Sequence, residues 1–399
     1  MAKSSRTTRS RQAESEVASA NAVRVAIIGA GGFGARTLAA LQQLSANENL
    51  VVQLVGVADK DSVAAAGAGQ AAQVPHYTDN RSLLAETRPQ IVCLCVPPMD
   101  SHDLICACSD RGIHVWKEML LARSLGEACQ IVRRMDQAGL KLAVGTQRRF
   151  APGYRRAWEL RQALGSVFLG RAHYLFNWGP NLNWRGDKIS AGGGALLELG
   201  YHFIDLMVWM LGLPEEVYGL SAGGNRPEKT AADGKPLPLY DTDDTAAAIL
   251  RYGKDSMAVV AASRASGPVS EELSLHGRGG SITASMERCL LRDPDGTSID
   301  QLADGSEKLP PGLVFVSQME SFARAVRDNT AAYECSAHEN LLNMAAVEAI
   351  YLSDRTGQPE SPLRLLRTQG FTIDECLARR PKIPAPGTAA AACPEASQQ

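Results

Sequence analysis

The apolar run VRVAII, starting at Val23, breaks into GAGGFG and then into ARTLAALQQL, whose apolar residues recur at helical spacing. A strand, a glycine turn and a helix in immediate succession leave few folds open to the chain. Gly29, Gly31 and Gly34 hold the spacing G-x-G-x-x-G, with Gly32 and Phe33 inside it. In this context Gly29 permits a tight turn, Gly31 lets the backbone approach a pyrophosphate, and Gly34 allows the helix to pack closely on its strand. The helix N-terminus then favours the negative charge. The stretch from Gly29 to Gly34 is therefore a candidate dinucleotide site.

The next strand, VVQLVGVAD, ends on Asp59. A carboxylate there accepts from a ribose 2′-hydroxyl and repels a 2′-phosphate, so NAD is the expected cofactor, with NADP left open by the adjacent Lys60. Three more short apolar runs follow (90–98, 113–118 and 141–147), separated by helical stretches, one of which opens with a capping box at Ser124 and Glu127. Near-continuous apolar strands alternating with helices require a parallel sheet covered on both faces. The fold class expected is α/β, with a doubly wound domain over 23–147.

The pattern changes after Phe150. A helix-like stretch over 152–164 leads to a strand over 171–178, a glycine-rich entry and a helix over 194–211. Period-two segments such as TAAAILRY and SMAVVAASRA come next, and two helical patterns close the chain. An α+β domain with an antiparallel sheet is expected over 148–372, which suits a chain of 399 residues. A disordered tail is expected at 1–22, with an organelle transit peptide as the alternative that its Arg and Ser content leaves open, and a low-complexity tail at 373–399. The net charge of −2 gives no footprint for nucleic acid or an anionic membrane. No unbroken apolar run approaches the length of a bilayer span. The nine cysteines show no zinc-site spacing. They read as small buried hydrophobes in a reducing compartment, and with no apolar leader before Val23 a cytoplasmic protein is expected.

Titratable residues concentrate in AGGGALLELGYHFIDLMVWMLG, where Glu198, His202 and Asp205 fall on one helical face. His202 is a candidate general base oriented by an acidic neighbour. No metal site is expected from the three.

Several motifs in order now resemble the glucose–fructose oxidoreductase, inositol dehydrogenase and MocA family of nicotinamide-dependent sugar and cyclitol oxidoreductases. They are VRVAIIGAGGFG, GVAD, CVPPMDSH followed by GIHVWKE, GTQRRF, NWRGDKISAGGGALLELGYHFID, LHGRGGSI and AIYLSDRTG. The resemblance implies a Rossmann domain followed by a domain on a large open sheet whose outer face serves homo-oligomerisation, and a substrate cleft between the two. It places His202 at the acid/base position, with Glu198 where an aspartate is usual. Family members usually carry Glu-Lys-Pro after the strand that here ends HVWKE; Glu118 matches the glutamate, and Met119 stands where the catalytic lysine is expected. Lys117 should point away from the cleft as a solvated or ion-paired residue.

The resemblance also places Pro97 and His102 at the nicotinamide site, His102 as a helix cap. Arg148, Arg149, Trp184, Arg185 and Lys188 fall in substrate-lining segments, with Lys188 the spare cation of most interest beside Met119. The reaction implied is hydride transfer between nicotinamide and a secondary hydroxyl or ketone of a sugar, sugar acid or cyclitol. Because Met119 replaces the lysine, two alternatives stand beside it. One is a non-catalytic sensor or scaffold that binds dinucleotide and sugar; the other is a lyase or glycosidase using transient oxidation by bound NAD.

Overall fold

The computed structural model describes residues 22–46, 52–223, 234, 240–302 and 312–381, so the expected tails lie outside the described residues except for Ala22 and 373–381. Strands β1 (Val23–Ile28), β2 (Val52–Ala58), β3 (His76–Tyr77), β4 (Ile91–Leu94), β5 (His114–Lys117) and β6 (Leu142–Val144) form one sheet in the order β3-β2-β1-β4-β5-β6. Every pairing in it is parallel. The strand order reverses between β1 and β4, which opens a crevice at the carboxyl ends of those strands. Alternate residues of β1 serve two cores: Val23, Val25 and Ile27 face one, Ala26 and Ile28 the other. Burial on both faces is why the run reads as continuously apolar.

The second sheet contains β7 (Val167–Asn177), β8 (Glu216–Ala222), β9 (Thr245–Arg251), β10 (Met257–Ser263), β11 (Ala265–Gly277), β12 (Gly280–Ala284), β13 (Cys289–Arg292) and β14 (Ser298–Asp300). Its order is β14-β13-β12-β11-β7-β10-β9-β8. Only the β7–β10 pairing is parallel. In β9 the alternation is clean, with Ala246, Ala248 and Leu250 buried under helices while Ala247 and Ile249 face outward.

Three departures from the sequence reading matter. The helix Leu313–Arg327, expected within the second domain, packs Val316, Met319 and Phe322 into the core of the first, against Val25, Ile27 and Trp116. Amphipathic spacing shows that a helix has a buried face but not which sheet covers it. Residues 373–381, expected as tail, begin with a helix Ile373–Leu377 whose Cys376 is buried, and Arg380 Nε lies 2.6 Å from Glu339 Oε1. Finally, the helical stretch Lys188–Leu211 is long and apolar enough to span a bilayer on composition, but 89% of its window is buried in the fold.

Candidate active site

A cleft of about 870 Å³ runs along the carboxyl ends of the parallel strands and up to the second domain. At one end lie Gly29, Gly31, Gly32, Phe33, Asp59 and Lys60. Gly29 has φ 95°, and a Cβ there would sit 2.3 Å from the Cys95 carbonyl oxygen. A Cβ on Gly34 would meet the Gly29 carbonyl oxygen at 2.0 Å, whereas one on Gly31 would meet nothing within 4 Å. Gly34 is thus needed for packing, while Gly31 leaves a bare backbone facing the cleft. The helix Phe33–Ser45 begins here with no side-chain cap on its first-turn amides, an arrangement that suits a pyrophosphate. Asp59 Oδ2 accepts from Ala30 N at 2.7 Å and Oδ1 from Asp61 N at 2.9 Å, which fixes the carboxylate beside the turn. These residues fit a dinucleotide.

The other end is built by Glu118, Met119 and Leu120 after β5, Pro97 and Pro98 after β4, and Tyr174, Trp178, Trp184, Arg185, Glu198 and His202 from the second domain. His202 is buried at 8% exposure, and its Nδ1 has no hydrogen-bond partner among the described residues. Burial, and secondarily the Arg148 guanidinium, hold its pKa well below the ordinary 6.5. Arg148 itself lies 4.5 Å over the Tyr174 ring and pairs with Glu271 at 2.6 Å. Glu118 Oε2 has no hydrogen-bond partner among the described residues, and burial pushes the Glu118 pKa up to about 8. Arg185 is held between Trp178 and Trp184, 4.3 and 4.4 Å from the ring centres, and its Nε donates to Glu198 Oε1. Glu198 Oε2 has no hydrogen bond among the described residues and lies 4.0 Å from Arg264 Nη1; burial raises the Glu198 pKa.

The structure brings most of the expected residues together and removes others. A π-helical turn over Leu196–Gly200 precedes the α-helix Tyr201–Leu211, so Glu198 pairs with Arg185 while His202 stands on the next turn. Asp205 turns from the cleft and takes a two-pronged bond from Arg149, Nε to Oδ2 at 2.8 Å and Nη2 to Oδ1 at 2.6 Å. Arg149 also donates to Glu339 at 2.8 Å, so this expected substrate residue is instead a buried interhelical tie. Lys188 lies on a separate cavity bounded by Arg123, Asp241 and Asp354 and does not line the cleft. His102 neither caps nor lines: it sits within the helix Pro98–Ser109, its Nδ1 3.3 Å from Asp103 Oδ1. Lys117, expected to be solvated or ion-paired, is buried at 1% exposure and donates to the carbonyl oxygens of Glu118 at 3.2 Å and Leu120 at 2.5 Å. Sequence reasoning passed over Tyr174 and Trp178. Aromatics at the end of a strand are their only local signal, and that signal is shared with ordinary core residues.

A doubly wound domain with this glycine turn, joined to an open mixed sheet and closed over a buried histidine, defines a two-domain nicotinamide-dependent oxidoreductase. Residues 23–146 match the oxidoreductase family with an NAD-binding Rossmann fold, and residues 154–283 match the GFO/IDH/MocA C-terminal domain. The chain belongs to the GFO/IDH/MocA family. It is 24% identical over 337 residues to D-xylose 1-dehydrogenase (NADP(+)) 2 of Haloferax volcanii, covering 83% of this chain and 97% of that one. It is 25% identical over 358 residues to D-apiose dehydrogenase of Paraburkholderia graminis, covering 84% and 88%. Among solved structures, levoglucosan dehydrogenase in complex with NADH and L-sorbose superposes with a TM-score of 0.76 at 20% identity, over 85% of this chain and 98% of that one.

Proposed function

We propose that this chain is an NAD-dependent oxidoreductase acting on a secondary hydroxyl, or the corresponding ketone, of a sugar, sugar acid or cyclitol, with His202 exchanging the hydroxyl proton. The observation that carries this reading is that one cleft holds the glycine turn at one end and, at the other, a buried imidazole with a free Nδ1. Nicotinamide, when bound, supplies the hydride acceptor or donor. His202 is neutral at neutral pH because burial and Arg148 disfavour its charged form, so it can take a proton without first losing one. Glu198, anchored through Oε1, offers Oε2 to a substrate hydroxyl, and the Trp178 and Trp184 rings wall the same space. The Asp59 carboxylate at the end of β2 supports NAD over its 2′-phosphorylated form.

Met119 limits the activity expected. A thioether accepts weakly and donates nothing, so it cannot protonate or polarise a substrate oxygen. Arg185, the cation nearest in kind, is already committed to Glu198. The proton chemistry therefore rests on His202 alone. NADH absorbance with a panel of sugars, sugar acids and cyclitols tests the reading. His202→Ala should reduce the rate by about 10²- to 10⁴-fold, and a variant as active as the parent would remove His202 from the mechanism. The same methionine favours a second reading, a dinucleotide- and sugar-binding sensor. That reading holds if the parent is inert across the panel and Met119→Lys creates activity.

A further inference from the structure

The lysine that ends β5 is placed where a charge is expensive. Lys117 lies under the Glu118–Leu120 turn, on the strand face it shares with Val115; burial brings its pKa down to about 8, while the charges of Glu118, of Glu127 on the helix Leu125–Gln137 and of Cys95 after β4 favour the ammonium form. An ammonium removed from water needs good hydrogen-bond acceptors to persist. Here the acceptors are the carbonyl oxygens of Glu118 and Leu120, the two residues on either side of Met119. All three turn residues line the cleft, and β5 lies across the strand-order reversal from β2. A dinucleotide with its ribose at Asp59 therefore has its other end against this turn.

We propose that Lys117 is a positioning residue for the nicotinamide end of the site: from behind the strand, its ammonium grips both peptide carbonyls flanking Met119 and so aims Glu118 and Met119 into the cleft. The positive charge absent from position 119 is present two residues earlier, on the hidden side of the same turn. The inference rests on the dinucleotide reading given under "Proposed function".

The test compares binding of NADH and of ADP-ribose, which lacks the nicotinamide, to full-length parent, Lys117→Met and Lys117→Gln by calorimetry. Bound-NADH fluorescence provides a second readout. Lys117→Met has no donor and should weaken NADH by about tenfold or more, the cost of losing charge-assisted bonds. Its affinity for ADP-ribose should equal that of the parent, and its bound-NADH emission should move toward that of the free cofactor. Lys117→Gln keeps a donor for one carbonyl and should recover part of the loss. Equal weakening of both ligands, or no weakening of either, overturns the proposal, as does failure of both variants to fold, which would make Lys117 a core residue only. A parent that binds neither ligand removes the dinucleotide reading and this proposal together; a parent and variants that bind both ligands alike remove this proposal alone.

Discussion

His202 illustrates how far a residue's surroundings reset its chemistry. In an unfolded chain its imidazole titrates near its ordinary value of 6.5, while in the fold burial and then Arg148 lower that value. A group depressed in this way stays neutral and competent as a base until the pH has fallen below 6.5. The acid limb of the pH dependence of kcat/KM for oxidation is therefore expected below that value, and a limb at or above it would contradict the assignment. The stabilisation from its neutral form is likewise complete above 6.5 and is lost as the pH falls toward the lowered folded-state pKa. Arg149 shows the opposite use of burial. Its guanidinium is 2% exposed and shared between Asp205 and Glu339, with Asn343 Nδ2 donating to Asp205 Oδ1 at 2.7 Å. Arg149→Ala leaves the buried Asp205 carboxylate without its counter-ion and Glu339 with Arg380 alone, and should cost about 3–5 kcal/mol in denaturant unfolding. A loss under about 1 kcal/mol would mean that the network is hydrated.

At the level of elements, the sequence marked out those whose signal is local. The glycine turn and the alternation in β9 depend on neighbours a few residues away, and both stand in the structure where periodicity and turn chemistry placed them; of the capping box expected at Ser124 only half forms, Ser124 accepting from Glu127 N while the Glu127 carboxylate accepts from Arg123 N instead of Ser124 N. The elements misread were those whose partners are distant. The helix Leu313–Arg327 covers a sheet whose last strand, β6, ends at Val144, and Gln318 Nε2 donates back to the Val144 carbonyl oxygen at 2.8 Å. The spacing of Glu198, His202 and Asp205 assumed an uninterrupted α-helix. The π turn at Leu196–Gly200 leaves no local sequence sign, and with Arg185 and Arg149 on either side it divides the three residues between cleft and core.

Across the whole molecule, the open sheet presents one face that no described residue covers. Tyr218, Ile249 and Val259 stand in register across β8, β9 and β10, with Leu220 and Met257 beside them, and all five are exposed. An apolar surface of this kind on an ordered sheet suits an interface between copies of the chain, in keeping with the homo-oligomer expected from the family resemblance. Light scattering of the parent against the Ile249→Glu/Val259→Glu double variant tests this: a higher mass for the parent with the fold of both unchanged supports the interface, and equal masses count against it. What the sequence by itself determined was the class of fold, the dinucleotide turn, the histidine and the absence of lysine at position 119, because each is written in consecutive or periodically spaced residues. Only the tertiary structure decided which cations meet the cleft. Arg185 enters it between two tryptophans, Arg149 and Lys188 do not, and Lys117 lies sealed behind it, because the direction of a long side chain is set by partners that packing brings from elsewhere in the chain.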